Sequence, residues 1–589
     1  MKRRILKHLA ALAAATIAFA CTAGATHAQT ETYFDAHNHF TGILPYYAYA
    51  DLPAFIARMS QSSTAVGYDD RLALYKYIAG VWYPQHRSEL GNRLFSPADG
   101  QRYSLGARAA LVVYRDEVVG SVIALDGALE RILTATPWTE FDSAYAFRGG
   151  PAYDYLKERF YSGNDDELET DLCHATILDL AATNIDVSEQ SLPFIGGWGF
   201  ADGRSTKLNT ILCAMNAGSD PHVAAGLRAM GKSMPVVTFV LMTHTSQLAT
   251  LPGGSEYSEW SKTGACAPVP LPAALQTSPS TIYHALLGLD DNGNSVVDAD
   301  RRQAFFQSVA GIDTAGPETT CFTPDGMAYY EQLVQAVYDA AKVRRSEGWH
   351  GKLLVHTHVG EGGTINYAPA PPVQPWSFGN AFSSLPATLT NSGQAATNIS
   401  TLLTAIAAFE RNHPDAANYV VFRLAHDTWA NDAQAVAMHD EGVEADVSLE
   451  SNVATGAYPI SRMPLGQAAV MSVISPLLRT EGTNFELNDL LRMLVSNPND
   501  DLSVGPILGN ATLKFLLERR VRCLLGTDAA GVEHSDIVKE YEYAGSLIAY
   551  WNRSDPTFRS LAANVTQRTL FDDARWHLND MSTDTAPAY

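Results

Sequence analysis

The chain has 589 residues, 46% hydrophobic and 18% charged, which is ample for one large barrel with insertions or for two or three ordinary domains. Lys and Arg number 41 against 63 Asp and Glu, a formal net charge of -22. A field of that sign repels nucleic acid and anionic lipid surfaces, so no nucleic-acid partner is expected.

The first residues combine a basic head (Lys2, Arg3, Arg4), an apolar run and small residues ending at Thr26, His27 and Ala28. This pattern predicts a secretory signal over residues 1–28, cleaved near Ala28, and hence a periplasmic or secreted protein. The apolar run is shorter than the roughly 20 residues that a membrane span needs, so no span is expected. Cys21 as a lipidation site is disfavoured by Ala18 and Phe19 before it. Of the remaining cysteines, Cys173 and Cys213 flank one insertion and Cys266 and Cys321 another, so local pairing is plausible in an oxidising compartment. Cys523 sits in an apolar run and reads as core, while connectivity stays open.

Short apolar runs recur, separated by stretches long enough for helical crossovers. Strands are predicted over Tyr33 to His39, Ile185 to Gln190, Val236 to Met242, Ser308 to Asp313, Lys352 to His358, Tyr419 to His426, Val443 to Leu449 and Val521 to Thr527. Eight strands alternating with helices predict an α/β fold, a (β/α)8 TIM barrel spanning 29–589. Three insertions interrupt it, at about 41–184, 251–303 and 361–400. The first is expected to be mostly helical, with helices around Leu52 to Gln61 and Gly127 to Ala135, and to pack over the barrel mouth; its Trp82, Tyr83 and Trp138 either roof a pocket or fill the insertion's own core. It is also where a homodimer contact would form. The second and third are rich in Pro and Ser and read as loops.

Within the second insertion, Asp290, Asn292, Asn294 and Asp298 have the alternating oxygen spacing of a calcium loop. Ser295 stands where such loops turn on glycine and Arg301 where they close on a carboxylate, which favours a polar surface turn over a Ca2+ site.

His37 and His39 stand two apart at the end of an apolar strand, and a period of two puts them on one face. By themselves they are either metal ligands or two satisfied strand-end histidines. Later strand ends add His356, His358 and Glu361, then His426, then Asp528. The C-terminal strand ends of a barrel surround one mouth, where active sites lie. His356 shares a face with His358 and is an alternative ligand. No nucleophile elbow accompanies the serines or Cys523, so a Ser-His-Asp hydrolase has little support.

These segments resemble the adenosine deaminase branch of the amidohydrolases. HNHFTGILP from His37 is similar to the first-strand motif of that family, AGIDTAGPE (Ala310 to Glu318) to the fourth, HVGEG (His358 to Gly362) to the fifth, and RLAHD (Arg423 to Asp427) to the sixth. SNVATGAYP (Ser451 to Pro459) and GTD (Gly526 to Asp528) resemble the seventh and eighth, while DLAATNIDVSEQSLPF resembles the second-strand region. The likeness runs from Tyr33 to about Tyr543 and leaves out the insertions. It implies that His37, His39, His358 and Asp528 bind one Zn2+ that activates a water, that His426 assisted by Asp528 takes that water's proton, and that Glu361 protonates a ring nitrogen. It also implies that the backbone N–H of Gly316 faces a ring nitrogen of a small-molecule substrate.

Two substrate-reading positions depart from the family, which typically has an aspartate at Ala529 and an acidic residue at Thr41. Lost polar partners change discrimination heavily, so a different or larger substrate is expected. Three functions remain in play: an exported hydrolytic deaminase of a purine-like amino-heterocycle, an amide, ester or lactone hydrolase on the same barrel, and a secreted binding protein with a vestigial site. A vestigial site would have lost ligands, and all six core residues are present.

Overall fold

The computed structural model describes residues 32–40, most of 173–200, and 204–260, 265–316, 320–360, 385–449, 512–528 and 537–582. The signal segment and nearly all of the first insertion, with its two predicted helices and its proposed dimer contact, lie outside the described residues.

The chain lays down β1 (Tyr33–His39), β2 (Ile185–Pro193), α1 (Thr206–Asn216), α2 (Pro221–Met230), β3 (Val236–His244), β4 (Glu256–Trp260), β5 (Cys266–Pro270) and α3 (Pro279–Leu286). There follow α4 (Arg302–Ser308), β6 (Val309–Ala315), α5 (Pro324–Ser346), β7 (Leu353–Val359), α6 (Leu385–Asn412), β8 (Val420–His426) and α7 (Asp432–Asp440). The described chain ends with β9 (Glu444–Val447), α8 (Thr512–Glu518), β10 (Cys523–Leu525), α9 (Ile537–Ser554), α10 (Pro556–Leu561) and α11 (Gln567–Met581).

Eight parallel strands run in the order β1-β2-β3-β6-β7-β8-β9-β10. The first and last close on each other: the Asp528 N–H donates to His37 O at 2.7 Å, and the His39 N–H to Asp528 O at 2.5 Å. Asp35 clamps the same seam, accepting from the Thr527 N–H at 3.0 Å and its hydroxyl at 2.7 Å. The fold is therefore a closed (β/α)8 barrel, and all eight predicted strands are present with bounds shifted by a few residues at most. Phe239, Ile312, Val355, Phe422 and Leu525 point outward and pack under helix residues such as Leu333, Val337, Ile406 and Leu516.

The N-terminal end of the barrel is plugged by α11. Its Ala574 and Leu578 pack on Phe34, Ala36, Val187 and Leu524, and Met581 packs against Val240, Ala310, Leu354 and Val421. His577 enters the barrel between two carboxylates, with Nδ1 2.7 Å from Glu444 and Nε2 2.9 Å from Glu189. Arg423 pairs with the other oxygen of Glu189, and Arg522 with that of Glu444 at 2.6 Å.

The described parts of the second and third insertions hold secondary structure that their composition does not predict, and residues 361–384 lie outside the described residues. The second forms an antiparallel hairpin, β4 with β5, followed by α3 and α4. The hairpin is tied to the segment after β6 by a Cys266–Cys321 disulfide, and a second bond joins Cys173 to Cys213. Cys523 is a buried free thiol. In the third insertion α6 already begins at Leu385. Ala395, Ile399 and Leu402, buried at helical spacing, form its apolar stripe, which the surrounding Ser, Thr and Asn disguise.

The segment around Asp290 forms the polar turn that its sequence favours over a calcium loop. Asp290 Oδ1 accepts the backbone N–H groups of Asn292 (2.9 Å) and Asn294 (2.8 Å), and its Oδ2 accepts the Asn294 side-chain amide at 3.0 Å. Asn294 therefore turns its nitrogen, not its oxygen, toward Asp290. With Asp298 beyond it, the segment is a self-satisfied polar turn. Among the described residues no group of three or more His, Cys, Asp or Glu able to hold a metal forms there.

Candidate metal centre

The β1, β7, β8 and β10 ends bring together every predicted ligand. The His37 ring lies with its centroid 5.2 Å from His39, 4.5 Å from His358 and 5.6 Å from His426. His39 and His358 are 5.5 Å apart, and His358 and His426 are 5.2 Å apart. Asp528 Oδ1 stands 3.3 Å from His39 Nε2 and 3.7 Å from His37 Nε2. Ligand atoms of His37, His39 and Asp528 all lie within 4.8 Å of one another, as do those of His37, His358 and His426. His37 is common to both triads.

Local backbone chemistry sets this up. Of the six non-glycine residues with positive φ among the described residues, His426, Asp427 and Asp528 are three. Left-handed backbone costs roughly 1–3 kcal/mol for such residues and persists where surroundings enforce it, commonly at functional sites. Gly526 is needed for packing: a Cβ there would lie 2.6 Å from His37 Cβ and 2.9 Å from Asp446 Oδ1. Its missing side chain makes room for the His37 ring and its carboxylate partner.

The site suits a cation. Burial pushes the His37 imidazole down to about 3, so its ring is neutral, the form that binds metal. His37 Nε2 is buried and makes no hydrogen bond among the described residues. A buried nitrogen left so is costly, and a metal ion removes the cost. Burial opposes charge on Asp446, yet its two imidazole neighbours, His37 and His356, outweigh it and hold the carboxyl well below its usual range.

His356, the alternative ligand, belongs to two further groups able to hold a metal ion, one with His37 and Asp446 and one with Asp313 and His358. Its Nδ1 faces Asp313 at 3.1 Å and its Nε2 faces Asp446 at 3.3 Å, so both ring nitrogens are turned to carboxylates under the cluster. Asp313 and Asp446 are functional-site residues that sequence reasoning passed over. Asp313 is the single acid of β6, Asp446 shares the four residues of β9 with Glu444, and a fully buried carboxylate requires a partner. That signal was available in Ile312-Asp313-Thr314 and in Ala445-Asp446-Val447.

Gly316 follows β6 with φ 147°, and a Cβ there would meet Thr245 Oγ1 at 2.8 Å and His244 Nε2 at 3.1 Å. Only glycine fits, which brings its backbone to the barrel mouth. Glu361, Thr41 and Ala529 lie outside the described residues. No helix among the described residues is long and apolar enough to cross a membrane.

No family model and no curated protein matches the chain. Among solved structures it is similar to the crystal structure of Arabidopsis ADAL complexed with IMP, at 12% identity and TM-score 0.33, covering 93% of this chain and 97% of that one. The apo N6-methyl-AMP deaminase from Arabidopsis thaliana gives the same four figures, 12%, 0.33, 93% and 97%. The adenine deaminase from Arthrobacter aurescens gives 11% identity and TM-score 0.29, covering 93% of this chain and all of that one. At such scores the side chains of this barrel, not the overlaps, carry the functional reading.

Proposed function

We propose that the chain is a metal-dependent hydrolase, exported and zinc-loaded, that removes an amino group from a purine-like heteroaromatic ring. The observation supporting this is the convergence of His37, His39, His358, His426 and Asp528 at one barrel mouth, with His37 neutral and its Nε2 buried without a hydrogen bond. His37, His39, His358 and Asp528 would hold the cation, which when bound supplies an acidified water as the nucleophile. His426 accepts a proton from that water, and Asp528 faces it across the site. Glu361 delivers a proton to the ring nitrogen beside the attacked carbon, and the Gly316 N–H donates to a ring nitrogen and fixes the ring's orientation. Water adds, the carbon–nitrogen bond breaks, and ammonia leaves with the second proton of the water.

A second reading, cleavage of an amide, ester or lactone, is favoured by Ala529, which removes an acceptor for a purine edge. The test is metal analysis of the purified protein followed by assay against aminated purines, nucleosides and other heterocycles. Ammonia release that disappears in His426→Ala is expected. Acid release without ammonia favours the second reading, and absence of bound metal refutes both. Residues 1–28 are tested separately by the N-terminal sequence of the exported protein, which is expected to start just after Ala28.

A further inference from the structure

Beneath the metal centre the buried side chains form a chain of contacts. Asp446 Oδ2 is 3.0 Å from His37 Nδ1 and 3.3 Å from His356 Nε2. Asp313 Oδ1 is 3.1 Å from His356 Nδ1, and its Oδ2 is 3.4 Å from His358 Nε2. Ser191, at the top of β2, donates its hydroxyl to Asp313 Oδ2 at 2.7 Å. None of these six residues is more than 5% exposed. His37, Asp446, His356, Asp313 and His358 thus link β1, β9, β7 and β6 in one line, with the His356 ring in the middle.

We propose that His356 is a positioning residue for the metal centre: its imidazole cross-links Asp313 and Asp446, and those carboxylates fix the rings of His358 and His37. This rests on the cation site proposed above. A ligating imidazole is oriented by the group on its other nitrogen, and such outer partners typically tune metal affinity by 10–100-fold. Asp446 is that partner for His37. A carboxylate buried in a barrel can do this only if it is itself held, because an uncompensated buried charge is costly and moves toward whatever donor it finds. His356 is a group placed to hold both carboxylates at once, since each of its ring nitrogens faces one of them. It also stands between two acids of separate strands, Asp313 on β6 and Asp446 on β9.

The test compares the full-length parent with His356→Gln, which can reach one carboxylate but not both. The metal-stripped proteins are titrated with Zn2+ against a chromophoric chelator, and the visible spectrum of each Co2+-loaded protein is recorded. A zinc dissociation constant 10–100-fold weaker, with a changed cobalt spectrum, is expected. A folded variant with the parent's zinc constant and cobalt spectrum, differing only in the melting temperature of its metal-free form, overturns the proposal, because a purely structural ring would behave so. Should His356→Gln not fold, Ser191→Ala takes its place: removing the hydroxyl from Asp313 is expected to weaken zinc by a few-fold, and no change overturns the proposal. Failure of the parent itself to bind Zn2+ or Co2+ is a separate outcome that overturns the cation site and the positioning role together.

Discussion

The two ends of the barrel bury charge in opposite ways. At the N-terminal end Glu189 meets Arg423 and His577, and Glu444 meets His577 and Arg522, so each carboxylate is matched by two cationic groups. At the C-terminal end imidazoles crowd one another, His37 Nε2 is buried without a hydrogen bond, and non-glycine residues hold left-handed backbone. Burial of charge is therefore no mark of function by itself. At the lower end opposite charges pair and lock α11 into the barrel, although Arg423 Nε and Nη1 are buried there without a hydrogen bond; at the upper end imidazoles gather around a carboxylate, the arrangement behind the proposed cation site.

The contrast can be broken by variants at either end. The largest effect is expected at Asp528, where Asp528→Ala should abolish cation retention and turnover together while circular dichroism stays that of the parent; retained metal would place the cation elsewhere. Glu361→Gln should keep the cation and lower turnover by about 10²–10⁴-fold, read as kcat with metal content measured on the same sample. Full turnover would remove Glu361 from its proton-donor role. At the other end, Arg423→Met strips one cation from the buried network and should cost on the order of 3–5 kcal/mol in denaturant unfolding with metal content unchanged.

The smallest effect is a pH dependence of stability. Burial opposes the charge of His577, but Glu444 and Glu189 outweigh it and raise the imidazole to about 9. A folded-state value above the unfolded value of about 6.5 means that the stabilisation is fully present below pH 6.5 and is lost as pH rises through 9. Unfolding free energy should therefore fall by roughly 3 kcal/mol at most across that window, and His577→Leu should flatten that dependence. A parent whose stability is constant from pH 6.5 to 9 would show that His577 is not charged in the fold.

Much of the barrel was legible in the sequence because its parallel strands are buried on both faces and read as apolar runs such as Leu353-Leu354-Val355 and Cys523-Leu524-Leu525. The histidines were legible because they end those runs. The hairpin of β4 and β5 was not, since its strands are short, proline-bearing and half exposed. Nor was the early start of α6, whose apolar stripe is diluted by Ser, Thr and Asn. The bottom network was hidden for another reason: Glu189 and His577 are 388 residues apart, so neither reveals its partner until the strands are placed. Asp313 and Asp446 stood in view as acids of barrel strands, but their contact with His356, which read as an alternative ligand and faces both of them, depends on how the strands are placed.

The most direct test is a crystal of the purified protein measured across the zinc absorption edge. A single anomalous peak is expected, about 2.0–2.2 Å from the nearest nitrogens of His37, His39 and His358 and a carboxylate oxygen of Asp528. A protein crystallised in the presence of Zn2+ that shows no peak among these four side chains, or a peak only at another place, contradicts the metal centre and the chemistry derived from it.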